Sequence, residues 1–244
     1  MGTFYAIGGG NFEKETNLLI DKKIISDTGK VNPKLLYIPA ASNDRIDAII
    51  TVRKYFEKLG CIVDVLYINE MLKAKEKFVE NDILYFGGGM TKRLVDIAIK
   101  YNLKELIVEA YRSGKIIAGI SAGAIMLFDY GYGDQFAYAY HGEVKGYRYV
   151  EGLGILKGIF VPHYQSVGLL AFHDEVSRYS LDSFALEDMT ALKITDNGYQ
   201  IIKEKNMGIK FDSKQNYLLI PLKKDYLYEE KIIKGGDYQW EWLI

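Results

Sequence analysis

Short apolar runs alternate with longer amphipathic ones through the first half of the chain. The apolar runs are FYAIGGG at 4–10, LLYIPAAS at 35–42, CIVDVLYI at 61–68, DILYFGGG at 82–89 and KIIAGI at 115–120. They are rich in Ile, Val, Tyr and Phe and are bounded by turn residues, which predicts strands buried on both faces. Between them the apolar positions recur at helical spacing. One helix is expected to begin near Asn43 or Asp44 and to stop at Gly60. Another covers roughly 91–114, with Thr91 as a cap, and is long enough to break around Tyr101-Asn102. Strand–helix alternation of this kind predicts a doubly wound α/β fold, with a mostly parallel sheet flanked by helices on both faces.

The second half is less regular. Residues 129–158 are rich in glycine and tyrosine and read as hairpins and loops whose aromatic residues need burial. A short helix is expected at 171–180. From Ala191 onward the pattern is one of short strands, with Asp196-Asn197-Gly198 as a hairpin turn. This β-rich C-terminal part follows without a repeat, a low-complexity tract or a linker, so one domain spanning 1–244 is expected.

Composition narrows the function classes. Basic and acidic residues nearly cancel, 31 against 32, which gives no electrostatic case for nucleic acid or an anionic membrane as partner. No apolar run approaches the ~20 residues that span a bilayer. The single cysteine, Cys61, excludes an internal disulfide framework and a multi-cysteine zinc site. Together with an N-terminus unlike a signal peptide, it suggests a reducing, cytoplasmic setting. Most of the 20 tyrosines are expected to be half-buried core and surface residues.

Chemistry concentrates where strands end. Ligands of a parallel sheet gather at the carboxyl ends of its strands. Three glycine-rich turns fall there: Gly8-Gly9-Gly10, Gly87-Gly88-Gly89, and Gly119-Ile120-Ser121-Ala122-Gly123. The last fits the nucleophile-elbow pattern G-x-S-x-G, in which small neighbours let a serine project from a strained turn. The helix expected after it, AGAIMLF, would aim its N-terminus at the serine, with the Ala122 N–H as oxyanion donor. The competing reading is a plain helix-capping serine. A nucleophile needs a base, and the chain holds three histidines, His141, His163 and His173. His163 follows GIFVP at an expected strand end and is the better placed, with His141 second and His173 on an exposed helix. An acid is needed to orient the imidazole. Glu187-Asp188 lies between apolar runs, and strand alternation allows only one of the two to face the site.

These residues resemble a known family. The segments YFGGGMTKRL, IAGISAGAIML, EGLGILKGIFVPHYQ and LEDMTALKI look, in order, like motifs of the aspartyl dipeptidase (peptidase E)/cyanophycinase family of serine peptidases. That family has a fold like the class I glutamine amidotransferases. The resemblance implies a Ser-His-acid triad and no cofactor or metal. Ser121 matches the family serine and His163 the family histidine. The family glutamate falls at Asp188, with Glu187 the alternative acid one place earlier. Gly88 and Gly89 would join Ala122 in the oxyanion hole. Met90 stands where the family carries a polar residue that helps shape substrate binding, which argues against a strict aspartyl preference. Met90, Thr91, Arg148 and Arg178 are candidate substrate-binding residues, and the segment 129–150 is a candidate cleft-blocking loop. The activity implied is hydrolysis of short peptides. An esterase or amidase using the same triad, or an inactive binding protein, remain alternatives, and either a monomer or a homodimer is compatible.

Overall fold

The computed structural model describes residues 1–133, 148–164 and 183–203, and the backbone of three short strands at 218–220, 231–232 and 237–238. Each apolar run forms a strand: β1 (Thr3–Ile7), β2 (Lys34–Ile38), β3 (Ile62–Val65), β4 (Ile83–Phe86) and β5 (Ile116–Ile120). The strands stop short of the glycine and proline residues that end the runs, so those residues become loops at the carboxyl edge. The helices are α1 (Leu18–Asp27), α2 (Ile46–Lys58), α3 (Ala74–Glu80), α4 (Thr91–Lys100), α5 (Leu103–Arg112) and the single turn α6 (Ala122–Ile125). Nine further strands follow among the described residues: β6 (Phe128–Gly133), β7 (Arg148–Glu151), β8 (Leu156–Val161), β9 (Ser183–Ala185), β10 (Thr190–Thr195), β11 (Gly198–Lys203), β12 (Leu218–Ile220), β13 (Lys231–Ile232) and β14 (Asp237–Tyr238).

The main sheet runs in the order β14-β11-β10-β1-β5-β4-β2-β3. Its β1-to-β3 half is parallel, and β10, β11 and β14 extend it antiparallel. A smaller mixed sheet has the order β13-β12-β9-β8-β6-β7. Alternation along the central strands divides the core in two. Tyr5, Ile7, Leu35, Tyr37 and Tyr85 face α1 and α2. Phe4, Ala6, Leu36, Ile38 and Phe86 face α3, α4, α5 and the smaller sheet. The fold is α/β, with a mostly parallel sheet covered on both faces. No helix among the described residues is long and apolar enough to cross a membrane.

The structure departs from the sequence expectations in a few places. Helices α1 and α3 occupy stretches with no prior assignment. Helix α2 starts at Ile46, because Asn43 and Asp44 have φ of 59° and 54° and leave the right-handed helical region. There the Asp44 carboxylate accepts the Ile68 N–H at 2.7 Å and pins the loop. Met90, not Thr91, is the cap residue of α4, and Thr91 is a buried first helical residue. The expected break at Tyr101-Asn102 is real, with Asn102 left-handed between α4 and α5. The Asp196-Asn197-Gly198 turn joins β10 and β11 as a hairpin. The expected helix at 171–180, His141, His173 and Arg178 lie outside the described residues, as does most of the 129–150 loop.

Several tyrosines are more deeply buried than expected and keep their hydroxyls bonded to carboxylates. Tyr55 and Tyr85 donate to the fully buried Asp21, and Tyr111 donates to Asp196. Tyr5 donates to Asp27 at 2.5 Å, and Lys23 and Lys193 pair with the same carboxylate. This cluster ties α1 to β1 and β10. Burial alone would raise the Asp27 carboxyl, but hydrogen bonds from Lys193, Lys23 and Tyr5 outweigh it and hold it below its ordinary value. A depressed folded value confers stability that is present above the unfolded carboxylate range and lost as pH falls through the folded value. Replacing Asp27 by Asn is therefore expected to cost about 1.5–3 kcal/mol at pH 7. The difference from wild type should shrink in acid. Urea denaturation at pH 7 and near pH 3 checks this, and an equal deficit at both would contradict the charge-based account.

Candidate active site

Strand β5 ends at Ile120, and the chain turns sharply at Ser121, with φ 53° and ψ −113°. A non-glycine residue held there costs about 1–3 kcal/mol. The turn persists because it is bonded on both sides. The Ser121 N–H donates to Ile7 O at 2.9 Å, and Ser121 O accepts the Ala124 and Ile125 N–H groups at 3.0 Å. A side chain at Gly119 would strike the Gly123 carbonyl, and one at Gly123 would strike the Phe86 carbonyl, so both flanking positions must be bare. Ser121 stands at the cap position of α6, yet its hydroxyl makes no cap hydrogen bond. It lies instead 2.9 Å from His163 Nε2. That separates it from a plain helix-capping serine.

His163 follows β8 and Pro162, in a left-handed conformation with φ 51°. Its N–H donates to Gly8 O at 3.0 Å. Asp188 sits in the turn between β9 and β10, where Met189 is left-handed (φ 60°) and donates its N–H to Gly9 O at 2.9 Å. Asp188 Oδ1 lies 2.6 Å from His163 Nδ1. A carboxylate only accepts, so this bond places the imidazole proton on Nδ1 and leaves the Nε2 lone pair for the Ser121 hydroxyl. Glu187, one residue earlier, makes no hydrogen bond to His163, whose two ring nitrogens are taken by Asp188 and Ser121. Burial raises its carboxyl, with Lys203 opposing and Asp188 adding to the shift. Geometry thus joins Ser121, His163 and Asp188 and leaves Glu187 out.

The Gly8-Gly9 turn was legible as a strand end but not as part of the site. A Cβ at Gly9 would fall on Asp188 Oδ1 and within 2.5 Å of the His163 ring. The same turn holds both partner loops, since Gly8 N–H also donates to Thr190 O at 2.9 Å. Gly88 packs beside Ser121, its Cβ direction ending 3.4 Å from the serine Cβ. No acceptor among the described residues takes the N–H of Gly88, Gly89 or Ala122. The expected helix after the serine is only one turn, because the chain leaves as β6 at Phe128. A single turn aligns few peptide dipoles, so any oxyanion would be met by individual N–H groups rather than a macrodipole.

Ser121, His163, Gly88, Gly89 and Met90 open onto one cleft of about 600 Å³. The loop before α2 and the first turn of α4 form its far wall, bringing Asn43, Arg45 and Arg93 into it. Thr91 is buried and does not line the cleft. Arg148 begins β7, its backbone paired with that of Gly133, and its side chain lies outside what the structure describes. Among the described residues the cations facing the cleft are Arg45 and Arg93, which the sequence reading did not select. Arg93 lies three residues past Met90 on the helix after a glycine turn, a position where sequence could have flagged it.

A hydroxyl, an imidazole and a carboxylate bonded in series on a strained strand-to-helix turn is the arrangement of serine hydrolases. The model of peptidase family S51 matches residues 4–202, and the chain belongs to this family of serine peptidases. It is 30% identical over 213 residues to the uncharacterized peptidase YgaJ of Bacillus subtilis, covering 84% of this chain and 89% of that one. The crystal structure of a peptidase from an acI-B1 actinobacterium superposes with a TM-score of 0.69 at 20% identity, covering 98% of this chain and 97% of the other. A more partial similarity, 31% over 101 residues, links it to phosphoribosylformylglycinamidine synthase subunit PurQ of Methanococcus maripaludis. That match covers 38% of this chain and 36% of the relative.

The steric role of Gly9 gives a test independent of catalysis. In wild type the His163 Nδ1 proton, held by Asp188, should give a resolved downfield NMR resonance. In Gly9→Ala the methyl group displaces the carboxylate, and overpacking should cost about 1–3 kcal/mol. The resonance should then be lost. A Gly9→Ala protein that keeps both the resonance and wild-type stability would refute the close-approach argument.

Proposed function

We propose that this protein hydrolyses short peptides, with Ser121 as nucleophile, His163 as general base and acid, and Asp188 as the group that orients the imidazole. The observation that carries the reading is the unbroken bond series from Asp188 Oδ1 through His163 to Ser121 Oγ, at 2.6 and 2.9 Å. Both distances lie within the reach needed for proton transfer. In the acylation step Ser121 Oγ attacks the scissile carbonyl carbon as its proton passes to His163 Nε2. The imidazolium formed is stabilised by Asp188. The carbonyl oxygen, now anionic, is met by the N–H of Ala122 and of Gly88 or Gly89. When the C–N bond breaks, the leaving amine takes the proton from Nε2. Water then repeats the sequence on the acyl-enzyme and frees Ser121. The cleft's volume suits a small ligand rather than a folded chain, which favours short peptides. The buried Cys61 thiol, pushed up to about 12 chiefly by burial, is no competing nucleophile at neutral pH.

A fluorophosphonate probe tests the assignment. Wild type should be labelled at neutral pH and Ser121→Ala should not. His163→Ala should slow labelling by about four to six orders of magnitude, the range seen when a triad member is removed. Asp188→Asn should cost about 10⁴-fold, whereas Glu187→Gln should stay within about tenfold of wild type. A folded wild type that resists the probe would sink the proposal, and a larger effect at Glu187 than at Asp188 would reassign the acid.

A further inference from the structure

The serine chemistry leaves one buried polar group of the cleft without a task. Tyr5, Tyr55, Tyr85 and Tyr111 are buried in the core, and each donates its hydroxyl to a carboxylate. Tyr37 is as deeply buried, 3% exposed, yet its hydroxyl has no hydrogen-bond partner among the described residues. The two charges that bear on it are engaged elsewhere. The Asp44 carboxylate accepts the Ile68 N–H, and Arg45 pairs with Asp47. Tyr37 lines the cleft, and its hydroxyl, unlike the sealed side-chain oxygens of Asn17 and Ser183, keeps an opening there. A hydroxyl set into a core and left unpaired by the protein is costly unless something outside the chain completes it.

The hydroxyl is held in a fixed place. Tyr37 lies in β2 between β3 and β4, opposite Val65 and Tyr85, and its carbonyl accepts the Leu66 N–H at 3.0 Å. A Cβ at Gly87 would end 2.6 Å from the Tyr37 hydroxyl, and one at Gly88 would end 3.4 Å from the Ser121 Cβ. Consecutive residues of one turn therefore pack against the hydroxyl and the serine. Both open onto the same cleft, so a short peptide held at Ser121 lies within reach of Tyr37. Burial pushes the hydroxyl up to about 12, so it is neutral at working pH and can both donate and accept. Phe12, Val52 and Ile120 belong to the same apolar cluster and line the same cleft. A charged group brought there would lose more hydration than one neutral hydroxyl returns, whereas an amide or hydroxyl group would not.

We propose that Tyr37 is a substrate-binding residue whose hydroxyl completes a hydrogen bond with an uncharged amide or hydroxyl group of the peptide. The inference rests on the peptidase reading for the identity of the ligand, but the contact itself does not need serine chemistry. Two parts of a short peptide offer such a group, the main chain and a polar side chain.

Tyr37→Phe removes the oxygen and keeps the ring. Because no internal bond is lost, its Tm should stay within about 2 °C of wild type. Tyr55→Phe, which strips a bond from buried Asp21, should melt at least about 3 °C lower. Calorimetric binding to Ser121→Ala protein, in which turnover is removed, then reads the contact. The probes are asparaginyl-alanine and alanyl-asparagine, with leucyl-alanine and alanyl-leucine as their apolar counterparts of similar shape. Adding Tyr37→Phe should weaken binding at least about fivefold. A loss confined to the asparaginyl peptides assigns the side chain, and an equal loss across all four assigns the main chain. Affinities that Tyr37→Phe leaves unchanged, no binding of any probe at millimolar concentration, or a fall in Tm matching that of Tyr55→Phe overturns the proposal. Binding that depends on Tyr37 in a protein whose wild type resists the fluorophosphonate would leave the contact standing and remove only the serine chemistry. Labelling at Ser121 with no dependence of binding on Tyr37 would do the opposite.

Discussion

The backbone of Ile7, Gly8 and Gly9 hydrogen-bonds to all three segments that carry the site. Ile7 O holds Ser121, Gly8 O holds His163, and Gly9 O holds Met189 beside Asp188. Each bond is satisfied at the end of a buried strand, where an unpaired polar group would be costly. The end of β1 thus acts as a jig for residues far apart in the sequence. Its glycine is a matter of space, because any side chain at Gly9 would occupy the position of the Asp188 carboxylate.

The jig holds strained parts. Ser121, His163 and Met189 all have positive φ without being glycine, each a local cost of about 1–3 kcal/mol. The surroundings over-determine them. Ile7, Ile120 and Ala191, at the adjoining strand ends, are buried in the core, and the strands themselves are locked in register, with Ile7 opposite Ile120 on one side and Ala191 on the other. Strain held by rigid strands keeps a hydroxyl, an imidazole and a carboxylate in bonding geometry before any ligand arrives, which is what preorganised catalysis requires.

The two sheets divide the work. The main sheet supplies the serine turn, the glycine turn after β4 and the loop before α2, which together form the Ser121 end of the cleft and its wall. The smaller sheet delivers His163 from the end of β8, and Asp188 comes from the turn that carries the chain from β9 back to β10. The pairing of Val161 with Ala185 sets the relative height of the histidine and acid loops. The site exists only where the edges of both sheets meet.

Much of this was legible in the chain. Continuous apolar runs determined the five parallel strands, because strands buried on both faces tolerate no polar alternation. The G-x-S-x-G spacing marked the serine turn, and the scarcity of histidine narrowed the base. Local pattern failed where long-range contacts set the outcome. Helix α2 starts late because Asp44 is bonded to Ile68, a residue two elements away. The choice between Glu187 and Asp188 could not be made from alternation, since either register is self-consistent until β10 pairs with β1. Among the described residues the cleft's cations, Arg93 and Arg45, come from α4 and the loop before α2, because side chains converge across a sheet edge by topology and not by proximity in sequence. By itself the sequence determined which residue types were available and where the strands would end. Only the tertiary structure decided which ends meet, because that depends on backbone hydrogen bonds and steric room between segments that the chain keeps far apart.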